Sequence, residues 1–97
     1  MSRLIWRDKA LKDIQRLYRF IAIENQAAAE RAVKSIQTNI QILKTHPHAG
    51  RPAEEIGDGY RQWTVLFGNS GYIVLYNIQP DEVIIHAVRH QKEIGFL

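Results

Sequence analysis

Two apolar runs decide the fold of this chain: Tyr72-Ile-Val-Leu-Tyr76-Asn-Ile78 and Glu82-Val-Ile-Ile-His86-Ala-Val-Arg89-His90. Together they are rich in valine, isoleucine and tyrosine, which favour strands over helices. The polar segment between them, Gln79-Pro80-Asp81, is a turn, so the two runs predict a β-hairpin. A hairpin this apolar has to lie inside a sheet. The basic, histidine-containing end of its second strand is therefore where a small protein can present function.

Two further strands are predicted upstream of this hairpin. Tyr60-Arg61-Gln-Trp63-Thr-Val65-Leu-Phe67 has the alternation of a strand, and Gly68-Asn-Ser-Gly71 predicts a tight turn into the hairpin. The last three strands therefore form an antiparallel meander. Arg3-Leu-Ile-Trp6 is predicted to be a short opening strand.

Two helices are predicted between the opening strand and the meander. In the first, which Asp8 is expected to cap, apolar residues recur at helical spacing: Leu11, Ile14, Leu17, Tyr18 and Ile21. The second, which Asn25 is expected to cap, carries a seam that fits packing against another helix: Ala29, Val33, Ile36, Ile40 and Leu43. Pro47 is expected to end this helix at about Lys44 or Thr45.

These elements predict one α+β domain covering residues 1–97. An antiparallel helix pair is expected on one face of a twisted antiparallel sheet, in the order β-α-α-β-β-β. The chain has no cysteine, which excludes a disulfide scaffold and thiol chemistry and fits a reducing cytosol. No apolar run approaches the roughly 20 residues that span a bilayer, so no membrane partner is expected. The net charge of +3 favours acidic partners weakly.

The histidines do not predict a metal site, and no cofactor is expected. His86 and His90 are expected to point to the same side of one strand, about 13 Å apart, which is too far for one ion. His46 and His48 lie in a loop without carboxylate or thiolate neighbours. Gly57-Asp-Gly59 lacks the following helix that a phosphate-binding loop requires. His86 is predicted to be a hydrogen-bonded core histidine rather than a catalyst.

Over nearly its whole length the chain resembles the ParE/RelE superfamily of toxins from type II toxin–antitoxin modules. The resemblance combines the strand–helix–helix–three-strand order with short motifs at matching spacing: Thr45-His-Pro47, Gly50-Arg51-Pro52, Gly59-Tyr-Arg61, Tyr72-Ile-Val-Leu-Tyr76 and His86-Ala-Val-Arg89-His90. It is closer to the ParE branch than to the RelE branch. The resemblance implies a cytoplasmic toxin in a hetero-oligomer with a cognate antitoxin, whose disordered tail folds onto it.

The two branches imply different activities. ParE-type members inhibit DNA gyrase by binding, whereas RelE-type members are ribosome-dependent ribonucleases. RelE-like nucleases typically place a tyrosine near the C-terminus, but here no tyrosine follows Tyr76 and the tail offers only Phe96. The chain is therefore predicted to be a ParE-like gyrase inhibitor without chemistry of its own. The alternatives are a RelE-like mRNA endonuclease and a degenerate, non-toxic member that only binds its antitoxin.

Four residues are predicted to contact the target: Arg51, Arg61, Arg89 and His90. In a nuclease the same four would be catalytic, because the arginines would stabilise the phosphorane charge while a histidine moved protons. His86 and Glu93 are further acid–base candidates in that case.

Each arginine also has a structural interpretation. Arg61 is expected to pair with Asp58 or Glu55, and Arg51 to bond backbone carbonyls. Arg89 is expected on the strand face of Val83 and Ile85, at the strand exit, which makes it the strongest candidate for a target contact. On the first helix, Phe20 and Ile23 widen the apolar arc, and they are predicted to be either core or an antitoxin-binding surface.

Overall fold

The computed structural model describes residues 1–93 and 95–96, and its elements follow the predicted order with one short strand added. The strands and helices are β1 (Arg3–Trp6), α1 (Asp8–Ala22), α2 (Gln26–Ile40), β2 (Arg51–Pro52), β3 (Tyr60–Phe67), β4 (Ser70–Gln79) and β5 (Glu82–His90). Two 3₁₀ turns, Gln41–Lys44 and Pro47–Ala49, lie between α2 and β2. The predicted α+β architecture is confirmed.

The described residues form a five-stranded sheet in the order β1-β5-β4-β3-β2. Strands β2 to β5 are antiparallel to their neighbours, as expected for the meander. β1, however, pairs with β5 in parallel, with Arg3 opposite Glu82, so the sheet is mixed rather than wholly antiparallel. No sequence pattern predicts the two-residue strand β2, which adds the reversal of chain direction that makes β5 parallel to β1.

The predicted N-cap of α2 is confirmed, whereas the predicted N-cap of α1 and the predicted end of α2 are wrong. The Asn25 side chain accepts a hydrogen bond of 2.9 Å from the Ala28 N–H, as expected of an N-cap. Asp8 is the first residue of α1 rather than its N-cap. Its negative charge at this position stabilises the helix by interacting with the positive end of the helix dipole. α2 ends at Ile40, four residues before the predicted Lys44, and continues as a 3₁₀ turn.

The core lies between the helix pair and one face of the sheet, called here the helix-covered face. The predicted seam of α2 is confirmed, since Ala29, Ile36, Ile40 and Leu43 are buried and Val33 packs against the core. From the sheet, the core receives these buried side chains: Val65, Tyr72, Val74, Tyr76, Val83, Ile85 and Val88. The other side of the sheet is called the open face.

A β-bulge at His86 changes the side-chain alternation along β5. Tyr76 lies opposite Ile85 while Leu75 lies opposite Ala87, so His86 is the extra residue of the pair. Beyond the bulge, Val88 is on the helix-covered face with Ile85.

Because of the bulge at His86, two predictions about side-chain direction on β5 are wrong. Arg89 lies on the open face, so its predicted place beside Val83 and Ile85 is wrong. The expectation that His86 and His90 point to the same side is wrong for the same reason, because one extra residue moves every later side chain to the opposite face. None of the helices in the described part of the chain is long and apolar enough to cross a membrane.

Candidate functional site

Arg61 is engaged inside the protein rather than with the predicted carboxylates. Its Nε donates to the Gly50 carbonyl at 3.0 Å and its Nη2 to the His48 carbonyl at 3.1 Å. The predicted pairing with Asp58 or Glu55 is therefore wrong. Arg61 lies opposite Tyr76 on the helix-covered face, where its guanidinium ties the loop before β2 to the sheet.

The same loop is fixed by a close approach between Gly50 and Tyr76. The Gly50 N–H donates to the Tyr76 hydroxyl at 3.0 Å, and this hydroxyl donates to the Pro47 carbonyl at 2.6 Å. A Cβ at position 50 would lie 2.5 Å from the Gln62 carbonyl oxygen, so only glycine fits. The glycine of the Gly50-Arg51-Pro52 motif is therefore explained by the packing of this loop against β3 and β4.

Arg51 extends along the edge of the open face. Its Nη1 donates to the Pro52 carbonyl at 3.0 Å, as the sequence predicts, and lies 3.3 Å from a carboxylate oxygen of Glu55. Its Nη2 donates to the side-chain oxygen of Gln62 at 2.6 Å. The side chain remains largely exposed, so it can still reach a partner.

Arg89 holds the segment that follows β5. Its Nη1 donates to the carbonyls of His90, Gln91 and Glu93 at 3.2, 3.3 and 2.8 Å. Its guanidinium carbon lies 5.0 Å from the centroid of the Phe96 ring, a cation–π contact. The residue is half-buried, and it orders the chain end against the sheet.

His90 points to the opposite side of β5 from Arg89. Its ring meets Tyr72 edge-to-face at 5.3 Å between centroids, and its Nδ1 accepts a hydrogen bond of 3.1 Å from the Lys92 N–H. An acceptor Nδ1 leaves the proton of the neutral ring on Nε2. Burial raises the pKa of Tyr72 above its ordinary 10.0, which keeps this phenol neutral.

The four predicted target residues do not converge on one point. His90 lies opposite Tyr72 and Arg61 opposite Tyr76, so they are four positions apart along β4, or about 13 Å. Arg51 and Arg89 are on the other side of the sheet. The sequence neighbours Arg89 and His90 therefore serve different surfaces.

A buried carboxylate, Asp13 of α1, was not predicted from the sequence. Asp13 is 4% exposed, and its Oδ2 accepts a hydrogen bond of 2.9 Å from the Val88 N–H. Lys9 Nζ lies 2.6 Å from the other carboxylate oxygen, and Arg16 contacts both Asp13 and the Val88 carbonyl. Asp13 is three residues after Ala10 and four before Leu17, and this spacing was the signal that it shares the buried stripe.

Arg16 and Glu93 continue this network to the chain end. Arg16 Nη1 forms an ion pair with Glu93 Oε2, and Glu93 Oε1 accepts a hydrogen bond of 2.8 Å from the His90 N–H. β1 ends at Trp6, so within the described part of the chain the outer side of β5 has no strand beside it from Val88 to His90. The carboxylates of Asp13 on α1 and of Glu93 after β5 accept the backbone hydrogen bonds of Val88 and His90 that a neighbouring strand would otherwise accept.

The C-terminal end of α1 forms an exposed apolar surface, called here the α1 ridge, made of Phe20, Ile21 and Ile23. Phe20 is 75% exposed and Ile23 is 83% exposed. A groove of about 530 Å³ lies between the ridge and the sheet, lined by Arg16, Leu17, Phe20, Ile21, Ser70, Tyr72, His90, Lys92 and Glu93. A second groove of about 350 Å³ lies between the ridge and the start of α2. Phe20 and Ile23 are thus surface residues and not core.

Comparison with known proteins decides the family. The sequence model of the ParE toxin of the type II toxin–antitoxin system, parDE, matches residues 4–95. The chain belongs to the ParE toxin family. The protein called Toxin RelE3 from Caulobacter vibrioides is 32% identical over 85 residues, which cover 88% of this chain and 89% of that protein. A solved structure of the chromosomal ParDE toxin–antitoxin system from P. aeruginosa has the same fold, with a TM-score of 0.76 and 24% identity over 93% of this chain and 96% of that one.

This ParE-family chain is therefore the toxin of a type II toxin–antitoxin pair, and its partner is a cognate antitoxin. No group of three or more histidine, cysteine or carboxylate side chains in residues 1–93 and 95–96 is arranged to hold a metal ion.

The bulge residue of this ParE toxin, His86, sits in a polar cluster on the open face. Its Nε2 lies 2.6 Å from the Asn77 side-chain oxygen, and its ring meets Tyr60 edge-to-face at 5.2 Å between centroids. Burial lowers the pKa of His86 below its ordinary 6.5, and the positive charge of Arg7 lowers it further. The neutral imidazole with its hydrogen bond is the form that the fold favours. The predicted hydrogen bond is present, but the predicted core position is wrong, because His86 is half-buried on the open face.

The lowered pKa of His86 predicts a pH-dependent stability. Below pH 6.5 the unfolded chain binds a proton at this histidine more readily than the folded chain does, so the free energy of unfolding falls as the pH falls through the folded pKa. We expect wild-type toxin to lose more stability between pH 7.5 and 5.0 than His86→Gln, which can still hydrogen-bond Asn77. Urea unfolding at both pH values measures the difference, and parallel losses would contradict the prediction.

Proposed function

We propose that this toxin inhibits DNA gyrase by binding and catalyses no reaction itself. The proposal rests on one observation: the four residues predicted to be catalytic in a nuclease do not lie close together. Arg61 and His90 lie apart on the helix-covered face, and Arg51 and Arg89 lie on the open face. Phosphoryl chemistry at a 2′-hydroxyl needs a base, an acid and cations around one phosphate, and these four residues do not surround one point.

The bonding of the individual groups supports the same proposal. Arg61 donates to backbone carbonyls from Nε and Nη2, and Arg89 does so from Nη1, so these groups hold loops and do not form a phosphate site together. His90 receives the Lys92 N–H at Nδ1, which leaves Nε2 protonated in the neutral ring. A general base would need a free lone pair facing the groove. A binder needs only a fixed shape and a few polar anchors.

The target contact is centred on Arg89, with Arg51 on the same face and His90 and Arg61 in secondary positions. Nη1 of Arg89 donates to backbone carbonyls and Nε is buried, so the contact with a carboxylate or phosphate is proposed to be a charge-assisted hydrogen bond from Nη2. The same guanidinium also lies against the Phe96 ring. Arg89→Ala should therefore remove a direct contact and loosen a surface at once. Gyrase acts on DNA in the cytoplasm, which is where this toxin is proposed to act.

Purified toxin with gyrase and supercoiled plasmid tests the proposal. We expect wild-type toxin to inhibit supercoiling or to trap cleaved DNA, and Arg89→Ala to be roughly 10- to 150-fold weaker, since a lost charge-assisted contact costs about 1.5–3 kcal/mol. His90→Ala should have the smaller effect. Arg31→Ala, which removes an exposed arginine from α2, is the matched control and should behave like wild type. Thermal unfolding of each variant separates lost contact from lost fold.

A RelE-like mRNA endonuclease is the second candidate, and two observations favour it. The curated relative is named Toxin RelE3. His90 also faces a groove that holds Tyr72 and Arg16. Programmed ribosomes with a defined mRNA test it: cleavage by wild type that His90→Ala abolishes, with gyrase unaffected, would refute gyrase inhibition. Inactivity in both assays would favour a non-toxic member that only binds its antitoxin.

The antitoxin is proposed to cover the α1 ridge. Phe20 and Ile23 are large apolar side chains in water, with a mostly apolar groove on each side of the helix end. An amphipathic segment that buries this ridge would remove apolar surface from water, which is the main source of affinity in such contacts. Coupled folding of that segment should give a large negative heat-capacity change on binding.

A further inference from the structure

The outer side of β3 has no neighbouring strand beyond the point where β2 ends. β2 pairs with β3 only as far as Gln62. Since the Ala53 N–H donates to the Tyr60 carbonyl at 2.8 Å, alternate residues of β3 turn their backbone groups to this outer side. The next residues in that alternation, Thr64 and Leu66, have no strand beside them in the described part of the chain.

This stretch, residues 63–67, is called here the free β3 edge, and it carries no charge. Between Arg61 and Asp81 the sequence contains no lysine, arginine, histidine, aspartate or glutamate. Natural edge strands are commonly protected from pairing by charged side chains, proline or a bulge, and the free β3 edge has none of these. Leu66 adds a large apolar side chain that is 75% exposed. The edge is therefore open to another strand.

The protein protects a comparable stretch of edge elsewhere in the sheet. Where β5 extends past the end of β1, Asp13 accepts the outward Val88 N–H and Glu93 accepts the His90 N–H. No described side chain does this along the free β3 edge. The backbone groups of the free β3 edge are therefore available to a strand from another molecule.

The free β3 edge is complementary to a second copy of itself. Two antiparallel copies of these five residues overlap fully only when Val65 lies opposite Val65 of the second copy. Thr64 then lies opposite Leu66 on the open face, and Trp63 lies opposite Phe67 on the helix-covered face. This register pairs the outward backbone groups of both copies and adds cross-strand contacts between apolar and aromatic side chains.

The charges of the molecule favour a second copy at this edge over a charged partner. The chain has a net charge of +3, so two copies repel each other where charged surfaces meet. Arg51, the charged neighbour on β2, is paired with Glu55 at 3.3 Å. A charged segment would find no counter-charge along the free β3 edge, whereas two copies can meet there without opposing like charges.

We propose that two copies of the toxin pair through their free β3 edges, about a two-fold axis perpendicular to the sheet, and so form one continuous sheet. The inference depends neither on the identity of the target nor on where the antitoxin binds. Because so short a pairing buries less than the roughly 1,200 Å² of a stable interface, the dimer is weak and forms only at high concentration. Arg51 and Arg89 of both copies then lie on the same side of the continuous sheet.

Sedimentation velocity of purified, antitoxin-free toxin over a concentration series tests the dimer. Leu66→Asp should weaken self-association at least about tenfold, because it puts two like charges close to the two-fold axis. Ile23→Asp is the matched control, since it introduces the same charge at an 83% exposed side chain on the α1 ridge, and it should dimerise like wild type. Wild-type toxin that is still monomeric at about 1 mM, or a dimer that Ile23→Asp abolishes or Leu66→Asp leaves intact, overturns the inference.

Amide hydrogen exchange by NMR locates the pairing. We expect the Thr64 and Leu66 amides to exchange at least about fivefold more slowly at concentrations where most of the toxin is dimeric than where it is monomeric. Leu4 is the internal control, because its N–H faces outward on β1, and its exchange should not depend on concentration. A dimer that leaves Thr64 and Leu66 unprotected, with or without protection of Leu4, would overturn the inference.

Discussion

Ile36→Ala should lower the free energy of unfolding by about 2–5 kcal/mol, the range measured when a large aliphatic side chain is truncated in a packed core. Ile36 is 1% exposed and lies in the α2 seam that fills the space between α1 and the sheet. Truncation leaves a cavity that these rigid layers cannot collapse to fill. Since domains of this size are stable by only about 5–15 kcal/mol, the variant should be strongly destabilised. Urea unfolding monitored by tryptophan fluorescence measures the change.

Ile23→Ala is the matched control, because it makes the same chemical change at a side chain that is 83% exposed. We expect its effect to stay within about 0.5 kcal/mol, as is usual for surface substitutions. If Ile36→Ala and Ile23→Ala lost similar stability, the α2 seam would not be the centre of the core.

The α2 seam was predictable because its signal is local and repeated. Five apolar residues at helical spacing and a capping Asn25 indicate the same helix, and each acts within one or two turns of chain. The end of the helix was less predictable, because α2 stops at Ile40 and not next to Pro47. The strands of the meander were predictable for the same reason, since their apolar residues alternate between short turns. The bounds of β5, Glu82–His90, agree with the sequence prediction at both ends.

The direction of the side chains at the end of β5 was not predictable, and the candidate site depends on it. The bulge at His86 arises from pairing with β4, where Leu75 and Tyr76 oppose Ala87 and Ile85. Nothing in the sequence of β5 alone marks the extra residue. A single bulge therefore separated Arg89 from His90 and divided one predicted surface into two.

Asp13 shows a second limit, because its partner is 75 residues away. A carboxylate on an amphipathic helix is normally solvated, and only tertiary structure brings the unpaired Val88 N–H to it. The burial of Asp13 follows from where β1 ends, since a longer β1 would have satisfied Val88 instead. The parallel β1–β5 pairing was missed in the same way, because the two-residue β2 carries too little sequence to predict.

Phe20→Asp should weaken antitoxin binding by at least about 100-fold. Burying a phenylalanine side chain contributes about 1.5–3 kcal/mol to binding. An aspartate in its place brings a charge that loses its water when the antitoxin binds, and the neighbouring Leu17 and Ile21 side chains offer it no hydrogen bond in return. Together these terms exceed the roughly 2.7 kcal/mol that corresponds to a 100-fold change. Phe20 is 75% exposed in the free toxin, so the substitution should leave the fold intact. Titration calorimetry with purified antitoxin gives the affinity.

Leu66→Asp is the control for Phe20→Asp, because Leu66 is also 75% exposed and lies on the open face, away from the α1 ridge. It should bind antitoxin within about threefold of wild type. Phe20→Asp should also remain active against gyrase, since Arg89 is on the other side of the sheet, and cells expressing it should be poisoned even when antitoxin is present. An affinity that stays within tenfold of wild type would place the antitoxin elsewhere on the toxin. Loss of gyrase inhibition together with antitoxin binding would show instead that both partners use the α1 ridge, because one substitution on α1 can remove both only where the two surfaces overlap.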